Sequence, residues 1–168
     1  MQWLFFAMIK EKTGLCPFCR IPLPSSDKEE MKRLIKLVHG GHAHATYNYG
    51  CYTRGGNRQD WEKANGLFLK AGELGCAEGY LHLAYSYQEG KGTRVDKKKA
   101  KYYYELAAMG GDVCARTNLG GIEVKDGNSD RALKHFLIAA RTGSKVSLEM
   151  VKVAYQSGHV TKDGECGV

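Results

Sequence analysis

The chain has 168 residues, of which 43% are hydrophobic, enough for one ordinary domain or one continuous stack and too few for two comfortable domains. Lys and Arg outnumber Asp and Glu by 25 to 18, which gives a formal net charge of +7. The densest basic run, Lys97, Lys98, Lys99 and Lys101, lies where a helix would begin and has no second basic cluster facing it; we interpret it as a solvated helix face and predict no nucleic-acid partner.

The chain opens with an apolar segment from Met1 to Ile9. This segment is far shorter than the roughly 20 residues that a membrane span needs, and it lacks the basic start and cleavage site of a secretory signal. Cys166 is third from the end, not fourth, which excludes a prenylation site. Four of the six cysteines stand singly among helical apolar residues, as is typical of a reducing compartment. The sequence predicts a cytoplasmic or nuclear protein with no membrane partner.

After a predicted helix from Asp27 to about Val38, the chain repeats itself. The pairs Ala71-Gly72, Ala107-Ala108 and Ala139-Ala140 are each preceded by an alanine two helical turns earlier and followed by a glycine. The preceding alanines are Ala64, Ala100 and Ala132, and the glycines are Gly75, Gly111 and Gly143. We predict that these glycines end helices in the left-handed conformation.

A second type of helix is predicted after each of these glycines. Its first matched position holds a small residue: Ala45, Gly79, Ala115 or Ser147. One turn later comes a larger residue: Tyr49, Leu83, Leu119 or Val151. The residue directly after it is again small, as Gly50, Ala84 and Gly120 are. Small residues allow two antiparallel helices to pack closely. The acids Asp60, Asp96, Asp130 and Asp163 are predicted to cap the next helix. Aromatic residues at two matched positions are predicted to pack between copies. One position holds Phe68, Tyr103 and Phe136, and the other holds Tyr87 and Tyr155.

These residues resemble Sel1-like repeats, relatives of the tetratricopeptide repeat, with the pattern small-x-x-x-Leu-Gly, Gly-x-Gly, Asp-x-x-x-Ala and Ala-Ala-x-x-Gly. The stretch from Gly79 to Gly111 matches this pattern best, and the resemblance covers roughly residues 43 to 160. It implies an all-α, right-handed α-solenoid of helix pairs, with three copies and the first helix of a fourth.

Upstream, the segment from Leu15 to Pro24 resembles the closing Cys-Pro-x-Cys of a RING finger. The order of finger end, helix and repeats resembles a group of eukaryotic proteins in which the finger implies zinc and ubiquitin-ligase activity. A finger needs a full set of zinc ligands, and the residues before Cys16 include neither cysteine nor histidine. Cys16 and Cys19 would hold zinc only if the site were completed, and the sequence otherwise predicts no cofactor. His39, His42 and His44 are the nearby candidates to complete it, but their spacing favours a polar linker.

The predicted organisation is a truncated finger remnant in residues 1–25, a linker helix in 26–42, Sel1-like repeats in 43–163 and a tail in 164–168. Asp163 should begin the second helix of the fourth copy, yet the chain stops at Val168. We therefore expect a chain that is shortened at both ends, with the apolar face of its last helix only partly covered.

No catalytic constellation is predicted. Gly90-Lys91-Gly92 lacks the spacing of a phosphate-binding loop, and His82 and His135 are lone helical histidines. Binding is the function that remains.

By analogy with tetratricopeptide repeats, the first helices of the pairs are predicted to line a concave binding surface. The predicted partner-binding residues are Tyr47, Asn48 and Cys51 in copy one, Leu81, His82 and Tyr85 in copy two, and Thr117, Asn118 and Gly121 in copy three. Asn48, His82 and Asn118 form a polar row whose amides could hold a peptide backbone; a solvated or internal hydrogen bond is the alternative.

The sequence thus predicts a protein-interaction scaffold, not an enzyme, that binds a peptide or protein segment. The alternative is a truncated or degenerate RING-type ubiquitin ligase whose repeats recruit substrate. The sequence predicts no oligomeric state.

Overall fold

The computed structural model describes residues 26–55 and 58–156. This part of the chain forms eight α-helices and no strand. In order they are α1 (Asp27–His39), α2 (Ala43–Thr53), α3 (Arg58–Glu73), α4 (Ala77–Glu89), α5 (Lys97–Met109), α6 (Val113–Lys125), α7 (Ser129–Arg141) and α8 (Lys145–Gln156). Each helix packs against the next one along the chain, so the predicted all-α solenoid of helix pairs is confirmed. Across the described ranges, no helix has the length and apolar character of a membrane span.

Left-handed glycines end the second helix of each pair, as predicted. Gly75, Gly111 and Gly143 have φ angles of 96°, 91° and 99°. Such angles strain residues that carry a Cβ, so glycine is the residue that ends these helices without cost. The amide of the following residue then closes the end, as when Asp112 donates to the Ala107 carbonyl at 3.0 Å.

The predicted acidic caps are correct at one described position and wrong at two. Asp96 is the N-cap of α5 and accepts a hydrogen bond from the Lys99 amide at 3.0 Å. Asp60 and Asp130 instead lie inside the first turns of α3 and α7, where a carboxylate interacts favourably with the helix dipole. Asn128 is the N-cap of α7, because it lies four residues before Ala132, as Asp96 lies four residues before Ala100. Asp163 lies outside the described residues.

Small residues are buried where neighbouring helices cross, both between pairs and within a pair. Between pairs, a Cβ on Gly79 would lie 2.5 Å from the carbonyl oxygen of Phe68; within a pair, one on Gly120 would lie 2.5 Å from Cε1 of Phe136. Ala115 and Ser147, at the same register as Gly79, are fully buried. These helices approach too closely for larger side chains, as the small-residue pattern predicted.

The buried aromatic position of the second helices is formed by Phe68, Tyr104 and Phe136. The assignment of Tyr103 to this position is wrong, because Tyr104 is the residue that lies one turn after the matched alanine, as Phe68 and Phe136 do. Tyr103 is half-buried beside it and stacks on Tyr87 with 5.6 Å between ring centroids.

The last described helix, α8, is only partly covered, as expected. Val151 is buried against α7, whereas Leu148 and Tyr155 are exposed. Tyr155 therefore does not pack between copies as its matched residue Tyr87 does.

Candidate functional site

The predicted polar row runs across α2, α4 and α6, the first helices of the three pairs. Asn48 and Asn118 are exposed, while His82 between them is half-buried. The row therefore consists of two outward amides on either side of a more enclosed imidazole.

His82 is held between the first two copies. Its Nε2 lies 3.1 Å from the hydroxyl of Tyr47, and its ring stacks on Phe68 with 5.1 Å between centroids. The Nη1 atom of Arg54 lies 3.4 Å from Nδ1. A guanidinium can only donate, so a neutral imidazole accepts at Nδ1 and donates from Nε2 to Tyr47. Burial, and then the charge of Arg54, lower the pKa of His82 and favour this neutral form.

Tyr47 and Cys51 flank His82 on the side of copy one. Burial raises the pKa of the Tyr47 phenol, with a smaller contribution from Cys51, so the hydroxyl keeps its proton near neutral pH. Cys51 is half-buried against the core formed by Phe68 and Leu83. On copy two, Leu81 is also half-buried, against the next core cluster.

Tyr85 is exposed, and its hydroxyl is fixed by the loop that follows α4. The Nζ of Lys91 donates to that hydroxyl at 3.0 Å and lies 5.2 Å from the ring centroid of Trp61. The carbonyl of Lys91 accepts from Nδ2 of Asn65 at 2.8 Å, and a Cβ on Gly92 would lie 2.6 Å from the backbone of Trp61. The Gly-Lys-Gly segment thus docks the loop of copy two onto α3 of copy one, which explains why glycine is needed there.

In copy three, the predicted residues differ in their surroundings. The hydroxyl of Thr117 lies 2.8 Å from that of Ser147 and 3.3 Å from that of Ser144, linking α6 to the start of α8. Gly121 faces open space, since a Cβ there would meet nothing within 4 Å. Asn118 and Gly121 are therefore more accessible to a partner than Thr117.

The basic run at the start of α5 divides into two parts. Lys97, Lys98 and Lys99 are exposed, whereas the Nζ of Lys101 lies 2.8 Å from a carboxylate oxygen of Glu123 in α6. A second, longer contact of 3.4 Å joins Lys101 to Asp126. Only part of the run is therefore a solvated face.

Glu123 is the buried member of this ion pair, with 3% of its surface exposed. It also accepts from Nδ2 of Asn128 at 2.8 Å. The hydrogen bond from Lys101 lowers the pKa of Glu123 below its ordinary value. Sequence reasoning missed this pair, although Glu123 occupies the position held by Tyr87 in copy two and so signals a buried carboxylate.

The predicted zinc ligands Cys16 and Cys19 lie outside the described residues. A different set of metal-binding side chains does come together: one ligand atom from each of His44, Cys76 and Glu78 lies within 4.8 Å of the others. His44 and Glu78 occupy matched positions in copies one and two, each the third residue after a left-handed glycine. This match between copies is the feature of the sequence that could have pointed to the cluster.

Comparison with known proteins supports the repeat assignment. The family model of the Sel1 repeat matches residues 43–76, 77–112 and 117–144. A search of curated protein sequences found no match to this chain.

Solved structures that share the fold include the following three. A Sel1 repeat protein from Oxalobacter formigenes superposes with a TM-score of 0.71 at 25% identity, covering 77% of this chain and 56% of that one. The protein c5321, described as a protective antigen present in uropathogenic Escherichia coli strains and displaying an SLR fold, has a TM-score of 0.70 at 23% identity, covering 81% of this chain and 30% of its own. Cysteine rich protein B from Helicobacter pylori has a TM-score of 0.61 at 24% identity, covering 75% and 98%. The chain thus spans about half of the first of these proteins and less than a third of the second.

Proposed function

Because the chain belongs to the Sel1 repeat family, whose members are generally protein-interaction scaffolds, we propose that it is a non-enzymatic adaptor that binds an extended peptide or protein segment. The observation that carries the proposal is the pair of exposed amides, Asn48 and Asn118, at matched positions of copies one and three. The proposed binding surface is the concave face lined by α2, α4 and α6.

The chemistry of the row suits a peptide backbone. Each carboxamide offers two donors and one acceptor oxygen, so Asn48 and Asn118 can each pair with an N–H and a C=O of an extended segment. Between them, His82 is fixed by Tyr47 and Phe68, which limits the entropy lost when a partner packs against it. Tyr85, whose hydroxyl is held by Lys91, supplies an exposed ring for a side chain of the segment.

The test is selection from a random-peptide library on the full chain, followed by titration of the selected peptides. Each lost hydrogen bond costs about 0.5 to 1.5 kcal/mol, so Asn48→Ala combined with Asn118→Ala should weaken binding by roughly 5- to 150-fold if one bond is lost at each position, and by more if both bonds of each amide are lost. Lys98→Ala is the control, since Lys98 is exposed on a second helix. Unchanged affinity in the double variant, or an equal loss in the control, would refute the proposed surface.

We propose a protein partner in preference to nucleic acid or membrane, because α2 and α4, which line the proposed face, contain no Lys or Arg, and the exposed lysines lie on other helices. The proposed compartment is cytoplasmic or nuclear, where Cys51, Cys76 and Cys114 would stay as the thiols that they are in the structure.

A ubiquitin ligase is the second candidate function, and it is favoured by Cys16 and Cys19 alone. Its test is ubiquitin transfer from a charged conjugating enzyme, with Cys16→Ala and Cys19→Ala as the paired variant. We expect no transfer by the 168-residue chain, and transfer that the variant abolishes would favour the ligase over the adaptor.

A further inference from the structure

Three metal-binding side chains converge where copies one and two meet. Cys76 is the N-cap residue of α4, Glu78 lies in the first turn of α4, and His44 lies at the start of α2. The Cys76 thiol is 1% exposed and donates to a carboxylate oxygen of Glu78 at 3.2 Å. His44 is exposed, so an ion can reach the cluster from solvent on its side.

The distances fit a small tetrahedral ion. Zinc bonds of about 2.0 to 2.3 Å place neighbouring ligand atoms about 3.3 to 3.6 Å apart. The sulfur and the carboxylate oxygen are already at 3.2 Å, and the three ligand atoms lie within 4.8 Å of one another. Only the His44 nitrogen must move closer to the other two ligand atoms, and the exposed imidazole can rotate to do so without disturbing a core.

The charges also balance. Burial raises the pKa of the Cys76 thiol, so zinc binding would displace its proton to solvent. The resulting thiolate and the Glu78 carboxylate would then neutralise a divalent ion, and a neutral imidazole adds no charge. Both groups stand at the N-terminus of α4, where the helix dipole partly offsets the cost of a buried negative charge.

The N-cap residues of the first helices are of two kinds. Asp112 and Ser144 each accept a hydrogen bond from a first-turn amide, at 2.6 Å and 3.2 Å. Cys76, like His42 at the matched position of copy one, makes no side-chain capping hydrogen bond. The copy with a thiol at its N-cap is also the copy that has Glu78 two residues later and His44 facing it from the neighbouring copy.

We propose that His44, Cys76 and Glu78 form a zinc site that links copies one and two, with its fourth coordination position open. Thiolate and imidazole favour zinc over magnesium or calcium, which prefer oxygen ligands. The site is separate from Cys16 and Cys19 and replaces the expectation of no cofactor. It goes beyond the adaptor function, which needs no metal.

The test is zinc binding by the reduced, metal-free full chain, measured by competition with a chromophoric chelator. The Cys16→Ser, Cys19→Ser variant removes the other close thiol pair and should still bind about one zinc ion per chain. In this background, Cys76→Ser and His44→Ala should each weaken binding by tenfold or more, because even loss of outer-shell partners costs about 10- to 100-fold. Cobalt bound in place of zinc should show a thiolate charge-transfer band that Cys76→Ser removes.

Matched controls are Cys114→Ser, at an exposed thiol, and His39→Ala, at an exposed histidine near the end of α1. Both should bind zinc as the parent does. If Cys76→Ser fails to fold, Glu78→Gln decides the question, because it keeps the size of the side chain and removes the anionic ligand. Zinc that is lost with Cys16 and Cys19 and unaffected by Cys76→Ser or Glu78→Gln would overturn the proposal, as would the absence of binding. Neither result would bear on peptide binding by Asn48 and Asn118.

Discussion

Two adjacent glycines in α6 allow a sharp test of the packing between helices. A Cβ added to Gly120 would lie 2.5 to 2.8 Å from three atoms of the Phe136 ring, whereas a Cβ on Gly121 would meet nothing within 4 Å. The Phe136 ring is 7% exposed and belongs to a buried cluster with Val151, so it has little room to move. Gly120→Ala must therefore displace packed structure, and Gly121→Ala need not.

The magnitude follows from two opposing effects. Alanine improves helix stability over glycine by about 0.5 to 1 kcal/mol, and both variants gain this equally. Overpacking at Gly120 costs about 1 to 3 kcal/mol. We expect Gly121→Ala to be more stable than the parent by about 0.5 to 1 kcal/mol, and the two variants to differ by about 1 to 3 kcal/mol.

Urea unfolding monitored by far-ultraviolet circular dichroism measures this difference, and an unchanged helical spectrum without urea checks that the fold is kept. Because the substitutions are identical and adjacent, the propensity gain cancels and the difference reports packing alone. Equal stabilisation by both variants would refute the close contact between α6 and Phe136.

Ala107→Leu, at a fully buried site in α5, should lower the melting temperature by roughly 2 to 12 °C through overpacking of about 1 to 3 kcal/mol, while Lys98→Leu on the exposed face of α5 should hardly change it. Equal effects in thermal scans would mean that the register of copy two is wrong. Glu123→Gln should destabilise the chain by about 1 to 3 kcal/mol at neutral pH, because it removes the charged partner of Lys101. The pKa of Glu123 is below its ordinary value of 4.5, so this contribution is present above pH 4.5 and is lost as the pH falls through the lower folded value. Unfolding free energies measured against pH should therefore converge for the parent and Glu123→Gln in acid, and a constant gap would contradict the assignment.

The helix register was predictable because glycines and small residues report backbone requirements directly. Gly75, Gly111 and Gly143 end helices in the left-handed conformation at the predicted positions. The caps were less predictable, because an acid near the helix start need not stand at the cap register. Asn128 lies four residues before Ala132, as Asp96 lies four before Ala100, so Asn128 takes the cap and Asp130 lies inside the helix.

The sequence predicted which residues of the copies share a register, but not which side chains those residues contact. Matching the copies identified Asn48, His82 and Asn118 as one row, but it did not reveal that His82 pairs with Tyr47. Such contacts depend on the rotation between successive copies, which the small-residue pattern does not encode. The cluster of His44 with Cys76 and Glu78 was missed for the same reason, since its members come from two copies.

The polar contacts between copies differ at each junction of the described stack. Copies one and two meet through Tyr47 and His82, copies two and three through Lys101 and Glu123, and α6 meets α8 through Thr117 and the serine hydroxyls. Apolar packing alone would distinguish poorly between such similar helix pairs, because every junction uses small buried residues at the same register. A copy placed at the wrong junction would bury a carboxylate or imidazole without its partner, which costs several kcal/mol. These unlike contacts therefore select one arrangement of the copies, and that arrangement sets the spacing between the exposed amides of Asn48 and Asn118.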